Sequence, residues 1–162
     1  MKTLFTAILL SISVFYCKAQ NLEENYPQTI PLFKFEKIKG DGIFDSSKLN
    51  TKKKIIIGYV SPECIHCLIT LEHYNDNIKF FDNTELILVT EYNREQFIPK
   101  IKEIAPKLLE AKNVQILLDK EYLFPEKFNL RSLPTFYLFE NNKLITVKRG
   151  SIETNQLLHY LK

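Results

Sequence analysis

The sequence predicts an α/β fold built on a central mixed β-sheet flanked by helices, and two observations carry this prediction. Stretches of helical spacing alternate with short apolar runs at residues 55–60, 86–89 and 114–118. Such alternation is typical of parallel strands joined by helices. Near the C-terminus, residues 135–139 and 144–147 flank a pair of asparagines, which is a turn signal for an antiparallel hairpin. Parallel and antiparallel strands together make the predicted sheet mixed.

Two longer helices are predicted from apolar residues that recur three or four positions apart. These apolar residues are Leu71, Tyr74, Ile78 and Phe81 in the first stretch, and Phe97, Ile101, Ile104 and Leu108 in the second. Pro99 and Pro106 interrupt the second stretch, which predicts a kinked or divided helix. A brief helix over residues 122–128 and an amphipathic helix over residues 153–161 complete the predicted elements.

A small β-hairpin is predicted as an N-terminal extension of this unit. Residues 32–38 alternate loosely between apolar and polar side chains, and the Gly-Asp-Gly sequence at residues 40–42 is a turn signal before Ile43. The preceding residues 20–30 are polar and are predicted to form a flexible lead-in. The predicted domain therefore spans residues 31–162.

The first nineteen residues have the composition of a secretory signal peptide. Lys2 gives a positive start, residues 4–16 are apolar, and Ala19 is the small residue before the predicted cut. The apolar run is too short to span a bilayer, and no other segment is a transmembrane candidate, so the mature chain is predicted to be exported without a transmembrane span. Lipid attachment at Cys17 is the alternative, which Tyr16 disfavours because the residue before a lipid-carrying cysteine is normally small.

The net charge and the number of cysteines limit the classes of function that fit this chain. Cleavage after residue 19 removes two lysines and no acid, so the formal charge falls from +3 to +1. This balance gives no argument for a nucleic-acid partner. Cleavage also removes Cys17, which leaves Cys64 and Cys67 as the cysteines of the mature chain. One close pair is not the framework of a disulfide-stapled domain, which carries several spaced pairs.

The sequence Cys64-Ile65-His66-Cys67 indicates the chemistry, because it lies where a predicted strand is followed by a predicted helix. The free N–H groups and the positive dipole end of a helix favour a thiolate at that position. We therefore predict a thiol–disulfide oxidoreductase in which Cys64 is the nucleophile and Cys67 resolves the mixed disulfide. The cysteine pair itself is the redox group, and no other cofactor is predicted.

The residues that flank Cys64 are predicted to tune the pair in opposite directions. A cation at His66 would stabilise the Cys64 thiolate, and therefore the reduced form, which makes the disulfide a better oxidant. The carboxylate of Glu63 would disfavour the same thiolate. The sequence does not decide which effect is larger.

Two other classes of function remain open from the residues alone. The cysteine pair fits a Cu(I)-binding module for metal delivery, because thiolates are soft ligands, whereas a zinc site needs four ligands. An interaction domain with a structural disulfide is the other alternative. Haem attachment is excluded because Leu68, and not a histidine, follows Cys67.

Two stretches of the chain resemble the thioredoxin superfamily. The first is Ser61-Pro62-Glu63-Cys64-Ile65-His66-Cys67 between a predicted strand and a predicted helix. The second covers residues 124–139 and contains Leu133-Pro134-Thr135, which is similar to the superfamily segment with a cis-proline. Gly150 also fits the superfamily pattern. The resemblance covers residues 31–162 and implies a thioredoxin-like fold.

The resemblance also implies partners and a location. Leu133–Pro134 is expected to be a cis bond beside the thiols, and the backbone of Leu133 is expected to pair with a polypeptide substrate as an added strand. The leader and the N-terminal hairpin resemble the exported TlpA/ResA-type branch of the superfamily. That branch implies the bacterial periplasm, protein thiol or disulfide substrates, a separate recycling partner, and reduction favoured over oxidation.

The chain departs from the superfamily pattern near the thiols. Glu63 stands in the place of the tryptophan that usually precedes the first cysteine. Gly58 aligns with the buried acid of thioredoxins, and Thr70 aligns with the TlpA-type acid. The usual proton acceptors for the resolving thiol are therefore replaced. Glu72 and Glu91 are the candidates for that role.

Overall fold

The structure is a computed structural model that describes residues 25–161. The predicted signal peptide, residues 1–19, and the alternative lipid attachment at Cys17 lie outside the described residues. In the described part of the chain, no helix combines the length and the apolar character needed to cross a membrane.

One mixed sheet with strand order β2-β1-β5-β4-β3-β6-β7 forms the centre of the described chain. Its strands are β1 Lys34–Lys37, β2 Ile43–Asp45, β3 Lys54–Tyr59, β4 Thr84–Thr90, β5 Val114–Leu118, β6 Thr135–Glu140 and β7 Lys143–Arg149. Strands β3, β4 and β5 are parallel to one another, and the remaining pairings are antiparallel. The predicted α/β fold with a mixed sheet and an N-terminal hairpin is confirmed.

Helices cover both faces of the sheet. They are α1 Ile65–Asp76, α2 Arg94–Ile104, α3 Pro106–Glu110, α4 Leu123–Phe128 and α5 Gly150–Asn155. The predicted division of the second helix occurs at Ala105, because Pro106 can begin a helix but cannot donate within one. The prediction of one helix over residues 153–161 is wrong, since α5 begins at Gly150 and a 3-10 helix follows over Gln156–Tyr160.

Both faces of the sheet are buried, as the side chains of β3 illustrate. Ile56 belongs to the apolar cluster under α1, α2 and α3, whereas Ile55 and Ile57 belong to the cluster under α4 and the hairpin. All three side chains are buried, as expected for a parallel strand with helices on both sides. Burying one such side chain stabilises the fold by about 1.5–3 kcal/mol.

The described end of the predicted lead-in is packed against the domain. The ring of Tyr26 lies edge-on to Tyr137 with centroids 5.6 Å apart. The Leu144 N–H donates to the Gln28 carbonyl at 2.9 Å, and the Ile30 N–H donates to Asn142 at 3.2 Å. The predicted domain boundary at residue 31 is therefore not marked by a change in packing.

The topology brings three loops together at one edge of the sheet. The carboxyl ends of the parallel strands β3, β4 and β5 all lie at this edge, followed by the loops that precede α1, α2 and α4. Sites in open α/β sheets are commonly formed at such an edge. Both cysteines follow β3, so the chemistry of the chain is placed there.

Candidate active site

Cys64 is the N-cap residue of α1, and its sulfur replaces the usual oxygen of a cap. The backbone of Cys64 is extended, and its Sγ accepts a hydrogen bond from the Cys67 N–H at 3.3 Å. The Cys64 carbonyl accepts the N–H groups of Cys67 and Leu68 at 2.9 and 3.0 Å. A free N–H group at a helix N-terminus stabilises a thiolate directly. Cys64 is also half-buried, so a substrate can reach its sulfur.

Cys67 lies one turn further along α1 and is fully buried. Burial raises the pKa of the Cys67 thiol well above its usual range, and the hydrogen bond with Cys64 raises it further, against a smaller opposing effect from the Ser61 backbone. The two cysteines are free thiols in this structure. The pair therefore consists of one accessible sulfur that accepts a backbone hydrogen bond and one buried sulfur that keeps its proton.

The loop before β6 lies at the same edge of the sheet as the cysteine pair. The Leu133–Pro134 peptide bond is cis, the geometry that the resemblance implies, and Pro134 is buried while Leu133 is half-buried. The next residue, Thr135, pairs across the sheet with Tyr59, the last residue of β3. This register places Leu133 and Pro134 beside the loop that carries Cys64.

The two predicted tuning residues point to different neighbours. The backbone N–H of Glu63 donates to the Ser61 Oγ at 3.1 Å, and the Glu63 side chain is exposed. The imidazole Nδ1 of His66 lies 3.3 Å from the Ser151 Oγ at the start of α5. One imidazole nitrogen is thus engaged by α5 and not by the cysteine pair.

Comparisons with known proteins agree with this geometry, although no protein-family model matches the chain. A thioredoxin from Buchnera aphidicola is 25% identical over 121 residues, which cover 75% of this chain and 87% of that protein. The exposed lipoprotein thioredoxin of Streptococcus pneumoniae superposes with a TM-score of 0.62 at 20% identity, covering 81% of this chain and 98% of that one. A secreted Mycobacterium tuberculosis disulfide oxidoreductase superposes with a TM-score of 0.66 at 14% identity, covering 80% and 93%. The chain has a thioredoxin-like fold.

The thioredoxin-like fold predicted from the sequence is confirmed by these similarities, and the similarity to a thioredoxin supports the predicted superfamily. The Buchnera aphidicola protein is named a thioredoxin and the Mycobacterium tuberculosis protein a disulfide oxidoreductase, and both names agree with the predicted enzyme class. The role of each residue, the substrates and the direction of electron flow depend on the side chains that surround the cysteine pair in this chain.

This thioredoxin-like fold has no room for a buried acid at Gly58. A Cβ atom at this position would lie 2.2 Å from Cε1 of Phe136, so the phenyl ring occupies the space that a side chain would need. The second position, Thr70, is buried, donates to the His66 carbonyl at 2.8 Å and lies 3.0 Å from the Thr154 hydroxyl. Both positions are filled by groups that do not act as a base at neutral pH.

Glu72 and Glu91, the two predicted proton acceptors, are not among the groups that affect the Cys67 thiol. Glu72 is exposed on α1, and Glu91 accepts a hydrogen bond from the Tyr59 hydroxyl at 3.4 Å. Within residues 25–161, the groups that act on the Cys67 thiol are Cys64 and Ser61.

Sequence reasoning missed Ser61 and Tyr92. Ser61 is buried, and it connects the loop through its carbonyl to the Cys64 N–H at 3.3 Å and through its hydroxyl to the Glu63 N–H. The Ser61 hydroxyl acts to lower the pKa of the Tyr92 phenol, whereas the Glu63 carboxylate and desolvation act to raise it, and the net effect is a raised pKa. Tyr92 could have been identified from its position in the sequence, because it follows β4 as closely as the cysteine loop follows β3.

Metal-ligating side chains do not gather elsewhere in the described chain. Among residues 25–161, no group of three or more histidine, cysteine or acidic side chains is arranged to hold an ion. The two thiols are the soft ligands that the structure places together.

Proposed function

We propose that this protein is an exported thiol–disulfide oxidoreductase that exchanges disulfides with polypeptide substrates through Cys64 and Cys67. The observation that carries the proposal is the capping position of the Cys64 sulfur with the buried Cys67 thiol one turn behind it. The cysteine pair serves as the redox group, without a further cofactor.

The reaction proceeds in two exchange steps. The Cys64 thiolate attacks one sulfur of a substrate disulfide, the substrate S–S bond breaks, and the second substrate sulfur leaves as a thiolate that takes up a proton. Cys67 then loses its proton and attacks the Cys64 sulfur, which forms the Cys64–Cys67 disulfide and releases the first substrate sulfur. Two electrons pass from the pair to the substrate, and the reverse sequence oxidises a dithiol.

The cis-proline loop supplies the binding part of this proposal. The backbone of Leu133 would pair with the substrate chain as an added strand, because Leu133 lies in the loop before β6, beside the loop that carries Cys64. Pro134 cannot donate a hydrogen bond, so it leaves the approach to the thiols free of a competing N–H group.

Reduction of substrate disulfides is the direction that we propose. The carboxylate of Glu63 neighbours Cys64 in the chain and disfavours its thiolate, whereas one nitrogen of His66 is engaged by Ser151 on α5. A less stable thiolate makes the disulfide form of the pair relatively more stable, so the reduced pair gives up electrons more readily. A separate partner must then reduce the pair again.

Export, with the bacterial periplasm as the compartment, is proposed from two observations. Residues 1–19 have the composition of a secretory leader. Two of the structural neighbours are described as an exposed lipoprotein and as a secreted protein. Cell fractionation of a tagged full chain, with and without residues 2–19, tests this part of the proposal.

Insulin reduction by the mature chain in the presence of dithiothreitol tests the activity. Cys64→Ser is expected to abolish turnover, and Cys67→Ser is expected to trap a mixed disulfide through Cys64. Equilibration with glutathione then gives the reduction potential, for which we expect a value near that of thioredoxins, about −270 mV, and not near −120 mV. No turnover with tight retention of one Cu(I) would favour metal delivery, and a pair that does not cycle would favour an inert structural disulfide.

A further inference from the structure

His66 is held through both its backbone and its side chain, although it is exposed on α1. The His66 carbonyl accepts a hydrogen bond from the Thr70 hydroxyl at 2.8 Å, and the imidazole Nδ1 lies 3.3 Å from the Ser151 hydroxyl oxygen. Ser151 is the second residue of α5 and is half-buried. The imidazole is therefore tied to a different helix from the one that carries the cysteines.

The partners of His66 are themselves joined in the interior. Thr70 and Thr154 are both fully buried, and their hydroxyl oxygens lie 3.0 Å apart between α1 and α5. The Thr154 hydroxyl donates to the Gly150 and Ser151 carbonyls at 2.7 and 3.2 Å. These contacts close into a cycle, the α1–α5 network, which consists of His66, Thr70, Thr154 and Ser151.

The α5 side of this network is anchored to the neighbouring elements. The Gly150 N–H donates to the Pro134 carbonyl at 2.9 Å, which ties the start of α5 to the cis-proline loop. The Tyr74 hydroxyl donates to the Thr154 carbonyl at 2.7 Å, which adds another bond between α1 and α5. The Ser151 hydroxyl is therefore presented to His66 from backbone that both of these elements hold in place.

The direction in which the imidazole is tied bears on the reactive sulfur. Cys64 is the N-cap of α1, and His66 is the second residue of that helix. Side chains two positions apart on a helix do not face each other. A cation at His66 stabilises the Cys64 thiolate only when the imidazole turns toward the sulfur, and a contact from Nδ1 to α5 opposes that turn.

We infer that Ser151 is a positioning residue that keeps the His66 imidazole on α5, which makes the cysteine pair a stronger reductant than a free histidine at this position would allow. The inference rests on the proposed function. The buried threonines fix the place of Ser151, and the Ser151 hydroxyl fixes the orientation of the imidazole. At Thr70, which aligns with the TlpA-type acid, this chain has a hydroxyl that braces the network.

Equilibration of Ser151→Ala with reduced and oxidised glutathione tests the effect on the cysteine pair. Loss of the hydroxyl frees the imidazole to approach the Cys64 thiolate, so the reduced form of the pair is expected to gain stability. The equilibrium constant for reduction of the pair by glutathione is expected to rise about two- to fivefold at low salt. Ser151→Thr, which keeps the hydroxyl, is expected to match the wild type, as is Ser47→Ala at an exposed position beside β2.

A double-mutant cycle separates positioning from a merely structural role. Ser151→Ala in a His66→Gln background is expected to leave the equilibrium constant unchanged, because the imidazole through which Ser151 acts is then absent. An equal rise in both backgrounds overturns the positioning role. An unchanged or lower constant for Ser151→Ala alone overturns the inference.

Long-range ¹H–¹⁵N correlation spectra of the imidazoles test the contact itself and need no turnover. The chain has histidines at positions 66, 73 and 159, and the spectrum of His66→Gln assigns the His66 signals by their loss. In the reduced protein, Ser151→Ala is expected to shift the Nδ1 resonance of His66 and to leave those of His73 and His159 unchanged, because Nδ1 loses its partner.

An unchanged Nδ1 resonance overturns the inference whatever the activity of the protein. A cysteine pair that does not exchange with glutathione contradicts the proposed function instead, and the spectra still decide whether Ser151 holds the imidazole.

Discussion

Gly58 and Phe136 are paired across β3 and β6, and the phenyl ring of Phe136 lies over the Gly58 Cα. This contact fills the position from which a buried acid could reach the resolving thiol. The ring is itself fully buried and packs edge-on against Tyr74 with centroids 5.3 Å apart. The phenyl ring therefore occupies the space in the core that an acidic side chain at position 58 would need.

Gly58→Ala is expected to destabilise the fold by about 1–3 kcal/mol, because the added methyl group would overlap a buried ring that cannot move without disturbing its neighbours. A Cβ atom there would lie 2.2 Å from one ring carbon and 2.3 Å from the next. Urea unfolding of the reduced protein measures the effect as a lower midpoint with an unchanged slope.

Phe136→Leu provides the matched test of that cause. Alone it should destabilise the fold by leaving a cavity, but in combination with Gly58→Ala the smaller side chain makes room for the methyl group. The stability loss of the double variant is expected to be smaller than the sum of the single losses. Strict additivity would show that the Gly58–Phe136 overlap is not the reason for the glycine.

Iodoacetamide is expected to modify Cys64 and spare Cys67 in the native reduced protein at pH 7.5. Cys67 has no exposed surface, and burial raises the pKa of its thiol, whereas the reactive form of cysteine is an accessible thiolate. Mass spectrometry should show one adduct on the native chain and two on the chain unfolded in urea. Two adducts at similar rates in the native protein would contradict the assignment of the two roles.

The free energy of unfolding of the reduced protein is expected to fall as the pH rises above about 9. In the unfolded chain Cys67 loses its proton near pH 9.0, whereas burial holds the pKa of the folded thiol higher. Above pH 9.0 the folded state therefore binds more protons than the unfolded state, so stability decreases with pH, by up to about 1.4 kcal/mol per pH unit.

The oxidised protein is the control for this pH dependence, because a disulfide has no thiol proton to lose. Measurements between pH 8 and 9.5 avoid the range in which tyrosines begin to ionise. The reduced protein should lose more stability than the oxidised one across this window. Parallel curves would mean that the Cys67 thiol does not contribute the expected linkage.

Local patterns in the sequence were sufficient to predict most of the helices and strands. Asn141 and Asn142 both have positive φ, 51° and 60°, as the turn of a two-residue hairpin requires, and Pro106 marks the start of α3. The start of the last helix was missed because Gly150 reads as a turn residue, and its φ is indeed 64°, although the helix begins there.

The site was predictable in its sulfur chemistry and not in its polar surroundings. Cys64 and Cys67 are the first and last positions of one four-residue motif, which sequence spacing can describe. The contact between His66 and Ser151 joins α1 to the start of α5, and it exists because these two helices pack against each other. Neither residue belongs to a periodic pattern, so a contact of this kind follows from the tertiary structure alone.

Tyr74→Phe is expected to destabilise the fold by about 1 kcal/mol without changing the core volume. The Tyr74 hydroxyl donates to the Thr154 carbonyl at 2.7 Å, and both residues are buried. This bond joins α1, which carries the cysteines, to α5, which carries the Ser151 contact of His66. The phenylalanine ring keeps the packing against Phe81 and Phe136, so the loss of stability reports on the hydrogen bond.

Tyr160→Phe, with an exposed ring, is the control and should change the free energy of unfolding by less than about 0.5 kcal/mol. Equal midpoints for Tyr74→Phe and the wild type would show that the link between α1 and α5 does not depend on this bond.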